Sequence, residues 1–204
     1  MNLVLFFQEN VVLRYLYRKF AAVVQIIPYY VIIENLFAED GLSIRPKLDS
    51  IDVEFCTPSE IENLAANPEV PDDEKEYIQR YEKGSMCLAL KHKGEIAAFT
   101  WCNLEYLEFK KIRQKLRENE AYLFDMRTFK TYRGKNLAPY LRYQLYKHLN
   151  QKGKSDFYSI TAMLNTSSHK FKKKLGAKRD KLYVYICLFG KLYLNIPLKT
   201  YHED

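Results

Sequence analysis

An α+β domain, a mostly antiparallel sheet flanked by helices, is the architecture this sequence predicts, and three observations predict it. Tyr122 to Thr128 supplies the apolar, aromatic and β-branched residues that suit a buried strand. Leu137, Leu141, Leu145 and Leu149 recur every fourth residue and lay an apolar stripe along a helix, with Pro139 in the first turn, where a missing N–H costs nothing. Ser85 to Lys91 and Glu95 to Asn103 read as a hairpin turning through His92, Lys93 and Gly94.

In chain order, Glu9 to Ile26 reads as a helix ended near Pro28, and Tyr29 to Leu36 as a strand. Arg14, Arg18, Lys19, Gln25, Pro28 and Glu34 interrupt the apolar run from Val11 to Phe37, so no membrane-spanning helix is expected. A cleaved signal peptide fits poorly, because the basic residues follow the first apolar run. Two readings of this helix stand: it faces lipid phosphates with Arg14, Arg18 and Lys19 as a peripheral membrane contact, or it packs on the domain or on a second subunit of a homodimer. Residues 1–49 are thus taken as a helix-and-strand extension on a domain formed by residues 50–204.

Ile51 to Phe55 is a strand, and Thr57-Pro58-Ser59-Glu60 a helix start with a capping box. Asn67 to Asp73 is a loop, Asp73 to Lys83 a helix stopped at Gly84, and Leu104 to Leu116 a helix with Leu107, Phe109, Ile112 and Leu116 inward. Phe157 to Ala162, Leu182 to Phe189 and Leu192 to Ile196 complete the strands.

The 204 residues suffice for one well-buried domain and are few for two. Seventeen Tyr and twelve Phe argue against disorder. The net charge of +7 suits an anionic cofactor, carrier protein, membrane or nucleic acid without choosing among them. Cys56, Cys87, Cys102 and Cys187 form no CxxC pair, which points to reduced thiols in the cytoplasm. His92, His148, His169 and His202 lack metal-ligand spacing, so no metal is expected. The basic run Lys170 to Lys181 comes with no nucleic-acid motif, and no nucleic-acid partner is expected.

Between the central strand and helix lies Arg133-Gly134-Lys135-Asn136. A strand that enters a helix through a basic, glycine-containing turn aims free backbone N–H groups and the positive helix end at one point, an anion site suited to a phosphate or pyrophosphate. Neither GxxxxGK[ST] nor GxGxxG is present. Arg133 to Ala138 instead resembles the acetyl-CoA signature of the GNAT superfamily of N-acetyltransferases, [RQ]-x-x-G-x-[GA]. Asn136 stands where that signature has glycine, and asparagine best tolerates a left-handed backbone among the other residues. Downstream, Asn165-Thr166-Ser167-Ser168, a short helix from His169 to Leu175, Gly176 and a strand from Leu182 resemble the second GNAT block, N-x-x-[SA] with a helix ending in KLG. The resemblance covers about Ser85 to Phe189.

The resemblance implies a GNAT-type mixed sheet whose central strand pair splays to admit the pantetheine arm of acetyl-CoA. The backbone of Met126 and Thr128 would pair with that arm. Arg133, Gly134, Lys135, Asn136, Leu137 and Ala138 would hold the pyrophosphate, and Asn165 and Ser168 would lie near the thioester. The implied activity is acetyl transfer to a primary amine (an amino sugar, a small amine or a protein amine). A longer acyl chain from CoA or an acyl carrier protein, and a non-catalytic scaffold, are the alternatives.

Direct attack needs a base, an oxyanion donor and an acid for the leaving thiolate. In the family the base often lies on the strand before the turn or on a neighbouring strand. Alternation puts Glu120, Tyr122, Phe124 and Met126 on one face of it and Asp125 on the other, so Glu120 and Tyr122 are the candidates, Glu120 preferred for its proton affinity. The plain readings are an exposed loop residue and a packed aromatic. Many GNATs carry a tyrosine acid seven residues after the block's Asn. Here that position is Lys172, which reads as a solvated charge or a partner of the CoA phosphates, and Ser168 is the alternative group near the sulfur.

Overall fold

The structure, a computed structural model, describes residues 23–35, 44–70 and 74–201. Among the described residues ten strands and four helices follow one another: β1 (Val24–Glu34), β2 (Ile51–Phe55), α1 (Pro58–Ala65), α2 (Glu74–Glu82), β3 (Met86–His92), β4 (Glu95–Asn103), β5 (Tyr106–Phe109), β6 (Ile112–Lys115), β7 (Glu120–Thr128), α3 (Leu137–Gln151), β8 (Asp156–Ala162), α4 (Thr166–Lys174), β9 (Lys178–Leu188) and β10 (Leu192–Thr200). Eight strands form one sheet in the order β10-β9-β1-β8-β7-β4-β3-β2, and β5 with β6 forms a separate ribbon.

Every pairing in the large sheet is antiparallel except β7 with β8, which is parallel and covers only Glu120↔Asp156, Ala121↔Phe157 and Tyr122↔Tyr158. Beyond Tyr122 the two strands separate. The mixed sheet with a splayed central pair is therefore as the sequence predicts.

The leucine stripe of α3 packs on one face of β3, β4 and β7, where Leu141, Leu145 and Leu149 meet Leu90, Ala98, Cys102, Ala121 and Leu123. On the opposite face α1 and α2 bring Ile61, Leu64 and Tyr77 against Cys87, Ala89, Phe99 and Trp101. The α1 capping box forms as expected: the Glu60 N–H donates to Thr57 Oγ1 and the Thr57 N–H to Glu60 Oε2.

Three expectations are corrected. Leu104 to Leu116 is not a helix but mostly the β5–β6 hairpin, turning at Lys110 (φ 57°). Leu107 and Leu116 pack on Tyr122, Phe124, Tyr158 and Ile160, and Phe109 reaches Tyr29 and Tyr185, so the ribbon lies across β7, β8, β1 and β9. Pro28 ends no helix. It sits within β1, one residue before the pairing with β8 begins at Tyr29, while its carbonyl still accepts from the Met163 N–H. The rest of the Glu9 to Ile26 helix lies outside the described residues, of whose helices none is long and apolar enough to cross a membrane.

The third correction concerns face assignments on β7. Phe99 pairs with Arg127 but Trp101 with Phe124, so two β7 residues oppose one on β4, a β-bulge with Asp125 at φ 43°. Tyr122 and Phe124 face α2 and the ribbon, but so does Asp125, whereas Met126 turns toward the α3 core. Strict alternation fails at the bulge.

Candidate functional site

Where β7 leaves its pairing with β8, the chain runs through a one-turn helix (Lys130–Tyr132) into the basic turn and α3. Gly134 has φ 77° and Asn136 φ 62°, so the left-handed backbone anticipated for Asn136 is present. Asn136 occupies the N-cap of α3 without capping it. Its amide nitrogen donates to the Arg45 carbonyl at 2.9 Å, and its Oδ1 accepts from Lys174 Nζ at 3.0 Å. The first-turn N–H groups of α3 therefore receive no side-chain cap and point outward, where an anion is favoured.

Two adjoining cavities of about 470 and 520 Å³ meet at this turn and share Thr128, Arg133, Ala138, Ser167 and Phe171. The first adds Met126, Arg127 and Ser168, and the second adds Lys47, Gly134, Asn136, Leu137, Lys170 and Lys174. Most of the residues that the sequence assigns to the donor site thus line one cleft. Arg133 is exposed and folds its Nε back to the Thr128 carbonyl at 3.2 Å. Lys135 lines neither cavity; its ammonium lies 5.2 Å from the centre of the Tyr132 ring. Asn165 also lies outside them and acts as the N-cap of α4, its Oδ1 accepting from the Ser168 N–H at 3.1 Å and from Ser167 Oγ at 2.9 Å. Asn165 positions Ser168 rather than facing the cleft.

A third cavity, about 260 Å³, opens on the other side of β7 between α2 and the β5–β6 ribbon, with Tyr122 and Phe124 lining it. The Tyr122 ring stacks on Phe124 at 5.1 Å, and burial pushes its phenol well above the ordinary tyrosine range. Glu120 sits at the far end of β7, where β8 is still paired. Its carboxylate accepts from the Arg117 backbone N–H at 2.8 Å and lines none of these three cavities.

Two charge networks, one half-buried and one buried, flank the cleft, and the sequence reading missed both. At the bulge, Asp125 accepts from Tyr77 Oη, Arg80 Nη1 and Arg127 Nε, each at 2.7 Å, while the Arg80 guanidinium lies 4.8, 5.6 and 6.0 Å from the rings of Tyr77, Phe124 and Trp101. The available signal was a carboxylate amid an apolar strand. Beneath the splay, Lys172 is not solvated but buried among polar partners. Its side chain is 6% exposed and its Nζ contacts Ser159 Oγ at 2.6 Å, Thr161 Oγ1 at 2.6 Å and Glu34 Oε1 at 3.1 Å. Glu34 also takes hydrogen bonds from Tyr146 and Ser159 and lies 3.6 Å from Arg142 Nε. Burial alone would push Glu34 up, but Arg142 and Lys172, with Ser159 and Tyr146, hold its carboxyl at about 2. Lys172 belongs to an inward stripe, Ser168, Phe171, Lys172 and Leu175, at helical spacing; the surrounding lysines disguised it. Among the described residues no group of His, Cys, Asp and Glu is arranged to hold a metal ion.

Several solved structures share this architecture. A tandem GNAT protein from the clavulanic acid biosynthesis pathway superimposes with TM-score 0.60 at 14% identity, over 86% of this chain and 59% of its own. A GCN5-related N-acetyltransferase-like protein from Streptococcus suis gives 0.56 at 17%, over 88% and 68%. A GNAT-family acetyltransferase structure from Novosphingobium aromaticivorans gives 0.52 at 18%, over 80% and 64%. The chain spans about three fifths of the length of the first such structures it matches. No curated protein matches it significantly in sequence. The profile of the Acetyltransferase (GNAT) family matches residues 55–177, from the end of β2 to just past α4, and so takes in the bulge, the basic turn and Ser168. The chain belongs to the GNAT family of acetyltransferases.

Proposed function

We propose that the protein transfers the acetyl group of acetyl-CoA to a primary amine by direct attack. One observation carries this reading: the β7 edge left unpaired by the splay, the uncapped start of α3 beside Arg133, and Ser168 all border one continuous cleft. The backbone of Met126 and Thr128 has no strand partner on the β8 side and would pair with the pantetheine arm, the Thr128 carbonyl giving up its hydrogen bond from Arg133 Nε to do so. The turn from Arg133 to Ala138 takes the pyrophosphate, with Lys47, Lys170 and Lys174 within reach of further phosphate charge.

The amine enters through the cavity on the far side of β7. Its nitrogen attacks the acetyl carbon, the C–S bond breaks, and the thiolate takes up a proton. A phenol whose pKa is raised by burial stays protonated at neutral pH, so Tyr122 is suited to donate a hydrogen bond to the developing oxyanion rather than to act as base. Ser168 lies on the thioester side. The proton released by the amine passes to solvent in the acceptor cavity, where Glu76 and Glu108 are held by Arg80 and Arg113, and the thiolate takes a proton from solvent, so that the exchange balances. The four thiols, all free and buried, support a reducing, cytoplasmic setting.

The test is turnover. The purified chain with acetyl-CoA and a panel of primary amines should release CoA thiol in step with an acetylated product seen by mass spectrometry. Tyr122→Phe and Ser168→Ala should each lower kcat by about tenfold or more while leaving acetyl-CoA affinity within about twofold. Thiol release without acetylated amine would refute transfer, and product formed only from longer acyl-CoA donors would replace acetyl as the group transferred.

A further inference from the structure

The third cavity has a composition of its own. Arg80, Lys83, Lys110 and Arg113 line it against only Glu76 and Glu108, an excess of two positive charges. Arg80 is saturated, held by Glu76 at 2.6 Å and Asp125 at 2.7 Å. Arg113 pairs with Glu108 at 2.9 Å and lies 3.8 Å from the centre of the Tyr106 ring. Lys83, at the end of α2, and Lys110, at the tip of the ribbon, are exposed and have no ion-pair partner among the described residues. The uncompensated charge thus sits at the mouth, on the two walls, while the aromatic rings of Tyr106, Tyr122 and Phe124 line the interior.

We infer that the acceptor is a small primary amine that also carries an anionic group (phosphate, sulfonate or carboxylate), which Lys83 and Lys110 hold at the mouth while its carbon frame lies on the Tyr106, Tyr122 and Phe124 rings. The assignment rests on the reading above that this cavity admits the acceptor. Its volume of about 260 Å³ falls just below the range typical of drug-sized ligands, which favours a small molecule over a folded protein surface. The same cationic surroundings disfavour an ammonium, so they raise the fraction of neutral, nucleophilic amine at the reacting end while attracting the anionic end. An amine without an anionic group meets two unpaired cations and gains nothing from them.

Matched acceptors test this: phosphoethanolamine with ethanolamine, glucosamine 6-phosphate with glucosamine, and 4-aminobutyrate with butylamine. Each is assayed with acetyl-CoA for thiol release and product mass, in the wild type and in the exposed double variant Lys83→Glu, Lys110→Glu. The expected result is kcat/KM at least tenfold higher for the anionic member of one or more pairs, with that ratio falling at least tenfold in the variant while acetyl-CoA affinity stays within twofold. Comparing the pairs separates phosphate from carboxylate. Equal or better use of the neutral partners, or a ratio unchanged by the charge reversal, overturns the inference. Acetyl-CoA binding without transfer to any of the six amines also overturns it and leaves the donor site standing; failure to bind acetyl-CoA removes both.

Discussion

Lys172 and Glu34 lie 3.1 Å apart, Nζ to Oε1, with side chains 6% and 0% exposed, and tie α4 to β1 beneath the splayed strands. An anion shared by two buried cations, Lys172 and Arg142, is strongly favoured in its charged form, and this makes stability depend on pH. A carboxyl whose folded pKa is depressed contributes stability that is present above its unfolded value near 4.5 and is lost as pH falls toward its folded value of about 2. The loss across that window is on the order of 3 kcal/mol. Urea unfolding at a series of pH values should show it, and Glu34→Gln should flatten the slope.

The same pair predicts strong non-additivity. Lys172→Met leaves Glu34 with Arg142 as its one cation and strips Ser159 and Thr161 of their donor, a cost of roughly 3–5 kcal/mol. The double variant Glu34→Gln, Lys172→Met should lose less than the sum of the single losses, by at least about 1 kcal/mol, when measured by denaturant unfolding. Additive losses would mean that the two groups do not act on each other.

At the basic turn before α3, Asn136 holds φ 62°. Glycine adopts this conformation without strain, so Asn136→Gly should keep acetyl-CoA affinity within about threefold. A β-branched residue strains the same turn, and Asn136→Val should weaken binding by about tenfold or more, read by calorimetric titration.

Asp125 collects three donors at the bulge. Asp125→Ala leaves Arg80, whose side chain is 18% exposed, among aromatic rings with one carboxylate fewer, and should cost about 2–4 kcal/mol in unfolding free energy. Asp125→Asn, which keeps the shape but not the charge, should recover part of that loss.

The parts of this molecule set by local chemistry were legible in the sequence. The Leu137 to Leu149 stripe, the Thr57–Glu60 capping box, the β3–β4 turn at Gly94 and the left-handed Asn136 each follow from residues within a few positions of one another. What escaped the reading depends on distant partners. The spacing of Leu107, Phe109, Ile112 and Leu116 fits a helix almost as well as a ribbon, and only contact with Tyr122, Tyr158 and Ile160 decides between them. The extra β7 residue at Asp125 has no local signature because the bulge is defined against β4. Lys172 reads as surface charge until Glu34, 138 positions earlier in the chain, is seen to meet it. For the candidate site, Met126, Thr128, Arg133 and the start of α3 were named and line one cleft, Lys135 and Asn165 were named and do not, and the cavity across β7 depends on the misread ribbon.

The most direct test of the account is calorimetric titration of the full chain with acetyl-CoA, beside Arg133→Ala. Micromolar binding by the wild type and at least tenfold weaker binding by the variant, about 1.4 kcal/mol or more, are expected. No binding by the wild type, or equal binding by both, would contradict a phosphate site at the Arg133 to Ala138 turn.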